Sequence, residues 1–87
     1  MRTIKCVAVI YQGKTYSLPP PNRHHNVLRV IYDSNGNQPI HENEQGFLDN
    51  EDIFMDRKEA QEIALASGQV LDVDKLIGPN LYSEDLW

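Results

Sequence analysis

Three consecutive prolines, Pro19-Pro20-Pro21, constrain this chain more than any other feature. Proline has a fixed φ and no backbone N–H, so neither a helix nor a sheet ladder passes through such a run. The run is expected to lie extended on the surface. Whatever precedes it must fold as a short unit of its own. Ile4-Lys5-Cys6-Val7-Ala8-Val9-Ile10-Tyr11 is rich in β-branched residues and reads as a buried strand. Gln12-Gly13-Lys14 supplies a turn, and Thr15-Tyr16-Ser17-Leu18 returns as a second strand.

After the prolines the period changes from two to about 3.6. Asn22 is a suitable N-cap, and His24, Val27, Leu28 and Ile31 fall at spacings of three and four. That pattern predicts a helix from about Arg23 to Ser34, closed by Asn35-Gly36. Residues 37–45 are polar and read as a loop. Gly46-Phe47-Leu48 and Ile53-Phe54-Met55 flank the turn-forming Asp49-Asn50-Glu51-Asp52, which predicts a second hairpin. Asp56 and Glu59 stand at capping-box spacing before a second helix with Ala60, Ile63, Ala64 and Ala66 as its buried stripe, and Gly68 ends it. Val70, Leu71 and Val73 are expected as a last short strand. The fold class expected is α+β: a small antiparallel sheet of two hairpins with two helices on one face.

With 87 residues there is room for one core, so residues 1–87 are expected as a single domain. The ending Tyr82-Ser83-Glu84-Asp85-Leu86-Trp87 carries the only tryptophan. A Leu-Trp end suits docking better than solvation, so a docked tail over about residues 79–87 is expected. Cys6 is the single cysteine, which excludes an internal disulfide and a thiolate zinc cluster. No apolar run nears the ~20 residues of a membrane helix, and the first residues lack a signal-peptide core, so neither a membrane nor export is expected.

The formal net charge of −5 is unevenly divided. Residues 1–41 carry five basic side chains and one acid; residues 42–87 carry three basic side chains and twelve acids. An acidic chain is a poor coat for nucleic acid, and no stable nucleic-acid partner is expected. The basic half can still hold a local anion site. Arg23, His24, His25 and Asn26 lie at the start of the first helix, where backbone N–H groups and the helix dipole favour anions. Gln45, Gly46 and Phe47 combine an edge-reading amide, a glycine that lets a ligand near the backbone, and a ring able to stack on a base. The plainer reading makes Phe47 core and Gly46 part of a turn. Arg57, in the first turn of the second helix, could contact an anion beside its capping neighbourhood.

Other chemistries are less well supplied. His24, His25, His41, Glu42 and Glu44 invite a metal, but adjacent histidines do not share a helix face and no third ligand is evident, so no metal and no cofactor is expected. No serine lies in a nucleophile elbow, and Cys6 sits in an apolar strand.

Taken together, Arg23-His24-His25-Asn26-Val27, Glu44-Gln45-Gly46-Phe47-Leu48, Phe54-Met55-Asp56-Arg57-Lys58-Glu59-Ala60, Gly68-Gln69-Val70 and the Tyr82–Trp87 ending resemble a family of small bacteriophage proteins. The chain resembles within it the first described type of Thoeris anti-defence proteins. These sequester cyclic ADP-ribose-type signals of bacterial immunity, and some such sponges hold cyclic oligonucleotides. The resemblance implies binding without cleavage in the host bacterial cytoplasm. It also implies a homodimer, able to form hexamers, with ligand sites between subunits. It carries over the Arg-His-His and Gln-Gly-Phe stretches as binding residues. Two other functions remain open from the residues: an acidic protein-binding inhibitor or DNA mimic using the eight acids of residues 42–62, and a small metal-free hydrolase using His24 or His25 with Glu44.

Overall fold

The two hairpins build one antiparallel sheet in the computed structural model, which describes residues 2–35 and 44–87. Strand β1 spans Ile4–Tyr11, β2 Lys14–Leu18, β3 Gln45–Asp49 and β4 Phe54–Asp56, in the spatial order β2-β1-β3-β4. The first turn is tight because Gln12 (φ 51°) and Gly13 (φ 76°) both adopt positive φ, the requirement of a two-residue hairpin whose twist matches its strands. Tyr11 therefore pairs with Lys14, and Val7 with Leu18. The second turn is closed by a side chain. Asp49 Oδ1 accepts from the N–H of Glu51 (2.8 Å) and of Ile53 (2.9 Å), while Oδ2 accepts from Arg2 Nε at 2.8 Å. These donors, the Ile53 N–H first, hold the Asp49 carboxyl below its ordinary pKa.

A register shift between Ile4 and Cys6 gives β1 an extra residue at Lys5. Strand side chains alternate, so one inserted residue exchanges the faces. Ile4 thereby joins Val7, Val9 and Tyr11 in the main core, while Cys6 and Ala8 occupy the opposite face with Leu48 and Phe54.

Helix α1 spans His24–Asn35 and α2 spans Arg57–Ser67. His24, Val27 and Ile31 of α1 are buried, as are Arg57, Ala60 and Ala64 of α2. Both helices contribute to the cluster built on Val7, Val9, Phe47 and Met55, so they share one face of the sheet. The expected α+β class is what is found. Asp56 caps α2, accepting from the Glu59 N–H at 2.8 Å, and Gly68 ends it at φ 75° with its N–H on Ala64 and Leu65 carbonyls. The buried stripe of α2 differs from the expected one: Arg57 occupies it, Ile63 is half-buried and Ala66 is exposed. Positions 57, 60 and 64 share a face at spacings of three and four, whereas 66 falls off it.

Four other expectations are corrected. The prolines do not simply run extended: Asn22 folds back to the Pro19 carbonyl through its N–H (3.1 Å) and its Nδ2 (2.7 Å), and the Pro20–Pro21 bond is cis. Asn22 is thus committed to that turn, and α1 starts one residue later. Arg23 N–H donates to Asn26 Oδ1 at 2.8 Å, the local contact at the helix start. Residues 70–73 form no strand. Asp72 Oδ1 accepts from the Asp74 N–H and starts a short 3₁₀ turn, Val73–Lys75. Gln45, expected in the loop, opens β3. The proposed helix stop at Gly36 and the loop over 37–43 lie outside the described residues.

The segment 81–87 packs on the helix-covered face. Leu81 and Leu86 are buried in the core, and Trp87 Nε1 donates to the Asn22 carbonyl at 2.9 Å. Leu81 N–H donates to the Arg57 carbonyl at 2.9 Å, and Ser83–Asp85 forms a second 3₁₀ turn. Among the described residues no helix is long and apolar enough to cross a membrane.

Candidate functional site

The start of α1, the first residue of β3, the first turn of α2 and the 81–87 segment meet around one cavity. It holds about 260 Å³ and is lined by Arg23, His24, His25, Leu28, Gln45, Arg57, Tyr82, Ser83 and Glu84. Five of the eight residues singled out from sequence converge here: Arg23, His24, His25, Gln45 and Arg57. Residues scattered over positions 23 to 57 come together because β3 lies between β1 and β4, which brings Gln45 below both helix starts.

Arg57 organises the site. It is only 7% exposed, yet its guanidinium donates to the Leu81 carbonyl and to Gln45 Oε1, both at 3.0 Å. It also lies 4.6 Å from the Tyr82 ring centroid, a cation–π distance. Arg57 therefore ties α2 to β3 and to the tail while placing a positive charge in the cavity wall. Arg23 stands opposite and is more exposed. It donates to the Trp87 carbonyl at 2.5 Å and reaches Glu84 at 3.3 Å. The Arg23–Glu84 pair has side chains 36% and 65% exposed, and pairs of this kind are worth ~0–1 kcal/mol. An incoming anion can replace Glu84 at small cost.

The two histidines divide, as adjacent helical residues must. His25 is exposed. His24 is 6% exposed; its Nε2 lies 2.6 Å from the Gly46 carbonyl, and its ring meets Phe47 edge-on at 4.9 Å. Burial first, then the nearby Arg57 charge, pushes the His24 pKa down to about 4. Neutral His24 therefore donates its Nε2–H to Gly46. Of the two histidines at the helix start, His24 is thus committed to the core and to Gly46, and only His25 reaches solvent.

The consequence for acid stability has a definite sign. Below the unfolded-state pKa of 6.5 the unfolded chain takes up a proton that folded His24 refuses. Stability is full above pH 6.5 and falls as pH drops toward 4, by up to ~3 kcal/mol. Urea midpoints measured from pH 7 to 4.5 should show this slope, and His24→Gln should flatten it. An unchanged slope in His24→Gln would contradict a buried neutral imidazole.

The stacking reading of Phe47 is corrected and its plainer reading as core holds, while Gly46 lies within β3, neither in a turn nor open to a ligand. Phe47 has no exposed surface and lies at the centre of the core, with Val7 and Met55 as its strand partners. It presents no ring face to a ligand. At Gly46 a Cβ would collide with the Met55 carbonyl oxygen and lie 2.9 Å from Phe54 Cζ. The glycine admits β4 and the Phe54 ring. Asn26 is spent on the Arg23 N–H and does not line the cavity.

The tail wall of Tyr82, Ser83 and Glu84, together with Leu28, was missed from sequence. The Leu-Trp ending signals docking without indicating on what. Among the described residues no group of three His, Cys, Asp or Glu side chains is placed to hold a metal. His41 and Glu42 lie outside the described residues. Glu44 immediately precedes β3, but it does not line the cavity with the two histidines.

Comparison with known proteins yields one family. The family model described as Phage T4 y16D protein matches residues 3–87. No curated protein and no solved structure matches the chain.

Proposed function

We propose that this chain, which belongs to the Phage T4 y16D protein family, is a phage sponge. In this reading it binds a small anionic signal of the nucleotide type in the host cytoplasm and holds it without cleaving it. One observation carries the reading: residues chosen from sequence for anion chemistry line one cavity with two guanidiniums in its wall. Arg57 is fixed by its hydrogen bonds, so its charge is preorganised, and Arg23 is the adjustable partner. Gln45 offers an amide for a base edge. The family's phage origin supports a host immune signal as the ligand, with cyclic ADP-ribose-type molecules first and cyclic oligonucleotides second. A cavity of about 260 Å³ lies below the ~300–1,000 Å³ usual for enclosed ligands, which favours a second subunit completing the wall.

The acidic-mimic reading is weakened by how the acids are used. Within residues 42–62 Asp49 closes a turn, Asp52 pairs with Lys5, Asp56 caps α2 and Glu59 reaches Arg2 at 3.5 Å.

Calorimetric titration with cyclic ADP-ribose isomers and with cyclic di- and trinucleotides tests the proposal. A saturable signal at micromolar protein with at least one ligand, and intact ligand released on heating, is expected. Arg23→Ala should weaken that binding about 10- to 100-fold, the cost of one charge-assisted contact. No heat with any ligand would overturn the sponge reading. Ligand converted to product would replace it with the hydrolase.

A further inference from the structure

A second cavity lies on the same tail segment and plays no part in the proposed function. It holds about 360 Å³ and shares Tyr82 and Glu84 with the first. Leu71 and Ile77 form its apolar wall. Those two side chains are 68% and 81% exposed, and neighbouring Val73 is 60% exposed. Three aliphatic side chains within seven residues thus face water.

The backbone that carries them is firmly held. Leu71 N–H donates to the Asp85 carbonyl at 2.9 Å, Asp72 starts the Val73–Lys75 turn, and Gln61 Nε2 donates to the Gly78 carbonyl at 2.9 Å. Leu76, between the exposed residues, packs against the main core. The aliphatic side chains are therefore presented outward by an anchored segment. Leu71 and Ile77, held outward along one groove, offer an apolar floor to a partner.

The rim supplies the polarity of the partner. Asp72, Glu84 and Asp85 line the groove against a single cation, Lys75, and exposed Asp74 adds a further negative charge beside them. An apolar floor inside an acidic rim selects a basic, apolar segment. We infer that the groove between residues 71–77 and the tail is a docking site for a protein segment carrying an aliphatic or aromatic side chain flanked by lysine or arginine. Such a segment would seat its apolar side chain against Leu71 and Ile77 and its cations against Asp72 and Asp85.

Selection of a random peptide display library on the immobilised protein tests this, followed by fluorescence polarisation of the enriched peptides. The expected consensus pairs an apolar side chain with lysine or arginine. Affinity should fall at least tenfold in Ile77→Glu and weaken in Asp72→Asn, whose Oδ1 still caps the turn, each with the parent's melting temperature, and stay unchanged in Lys14→Ala on the exposed first hairpin. Failure to enrich, an acidic or uncharged consensus, or equal binding to Ile77→Glu would overturn the assignment. So would a parent that sediments as a dimer while Ile77→Glu sediments as a monomer, because the groove would then belong to a second copy.

Discussion

Phe47→Ala is expected to cost about 3–5 kcal/mol, measured by urea denaturation, because it empties the centre of the core. The ring has no exposed surface and is bounded by Val7, Met55 and His24. Small domains carry only ~5–15 kcal/mol of stability in total, so this variant should stand near its unfolding threshold. Phe47→Leu retains most of the volume and should cost much less. That pair separates two roles. If Phe47 were a stacking platform, Phe47→Leu would abolish ligand binding while remaining folded. With Phe47 in the core, Phe47→Leu should bind as the parent does. A loss below about 1 kcal/mol in Phe47→Ala would mean that the ring is not packed as described.

Arg57→Leu is the second large effect, and it should appear in stability, tail order and binding together. The side chain makes charge-assisted hydrogen bonds to the Leu81 carbonyl and to Gln45, each worth ~1.5–3 kcal/mol. Leucine would leave the buried Leu81 carbonyl without that donor and remove the cation from the Tyr82 face. Hydrogen exchange should therefore accelerate most at the N–H groups of Leu81, Asp85 and Leu86, which are bonded in the parent. Binding of an anionic ligand should weaken by more than the loss in Arg23→Ala, since the fixed charge is removed. Exchange rates unchanged over 81–87 would show that Arg57 does not hold the tail.

The sheet and both helices could be read from local pattern. The β-branched run of β1, the Gln12-Gly13 turn and the Asp56 cap each act over a few residues, and each appears where its chemistry puts it. The bulge at Lys5 was not visible, since β1 reads as a continuous apolar run whichever face each residue takes. The Val70–Val73 stretch misled because β-branched residues suggest a strand, while Asp72 competes for the backbone and turns the chain.

The site was legible in membership and less so in roles. Arg23, His25, Gln45 and Arg57 reach the cavity, but whether His24 or Phe47 faces ligand or core depends on tertiary packing. One residue of helical phase separates His24 from His25, and the sheet decides which of them is covered. The clasp from Arg57 to Leu81 spans 24 residues and leaves no local signal.

The most direct test of the anion cavity is native mass spectrometry. The protein is incubated with a mixture of cyclic ADP-ribose isomers and cyclic di- and trinucleotides, beside Arg23→Ala and Ile77→Glu. The expected spectrum shows a stoichiometric adduct of one nucleotide mass in the parent and in Ile77→Glu, and a much depleted adduct in Arg23→Ala. A parent without any adduct, or one whose adduct survives equally in Arg23→Ala, would contradict a ligand site at the start of α1.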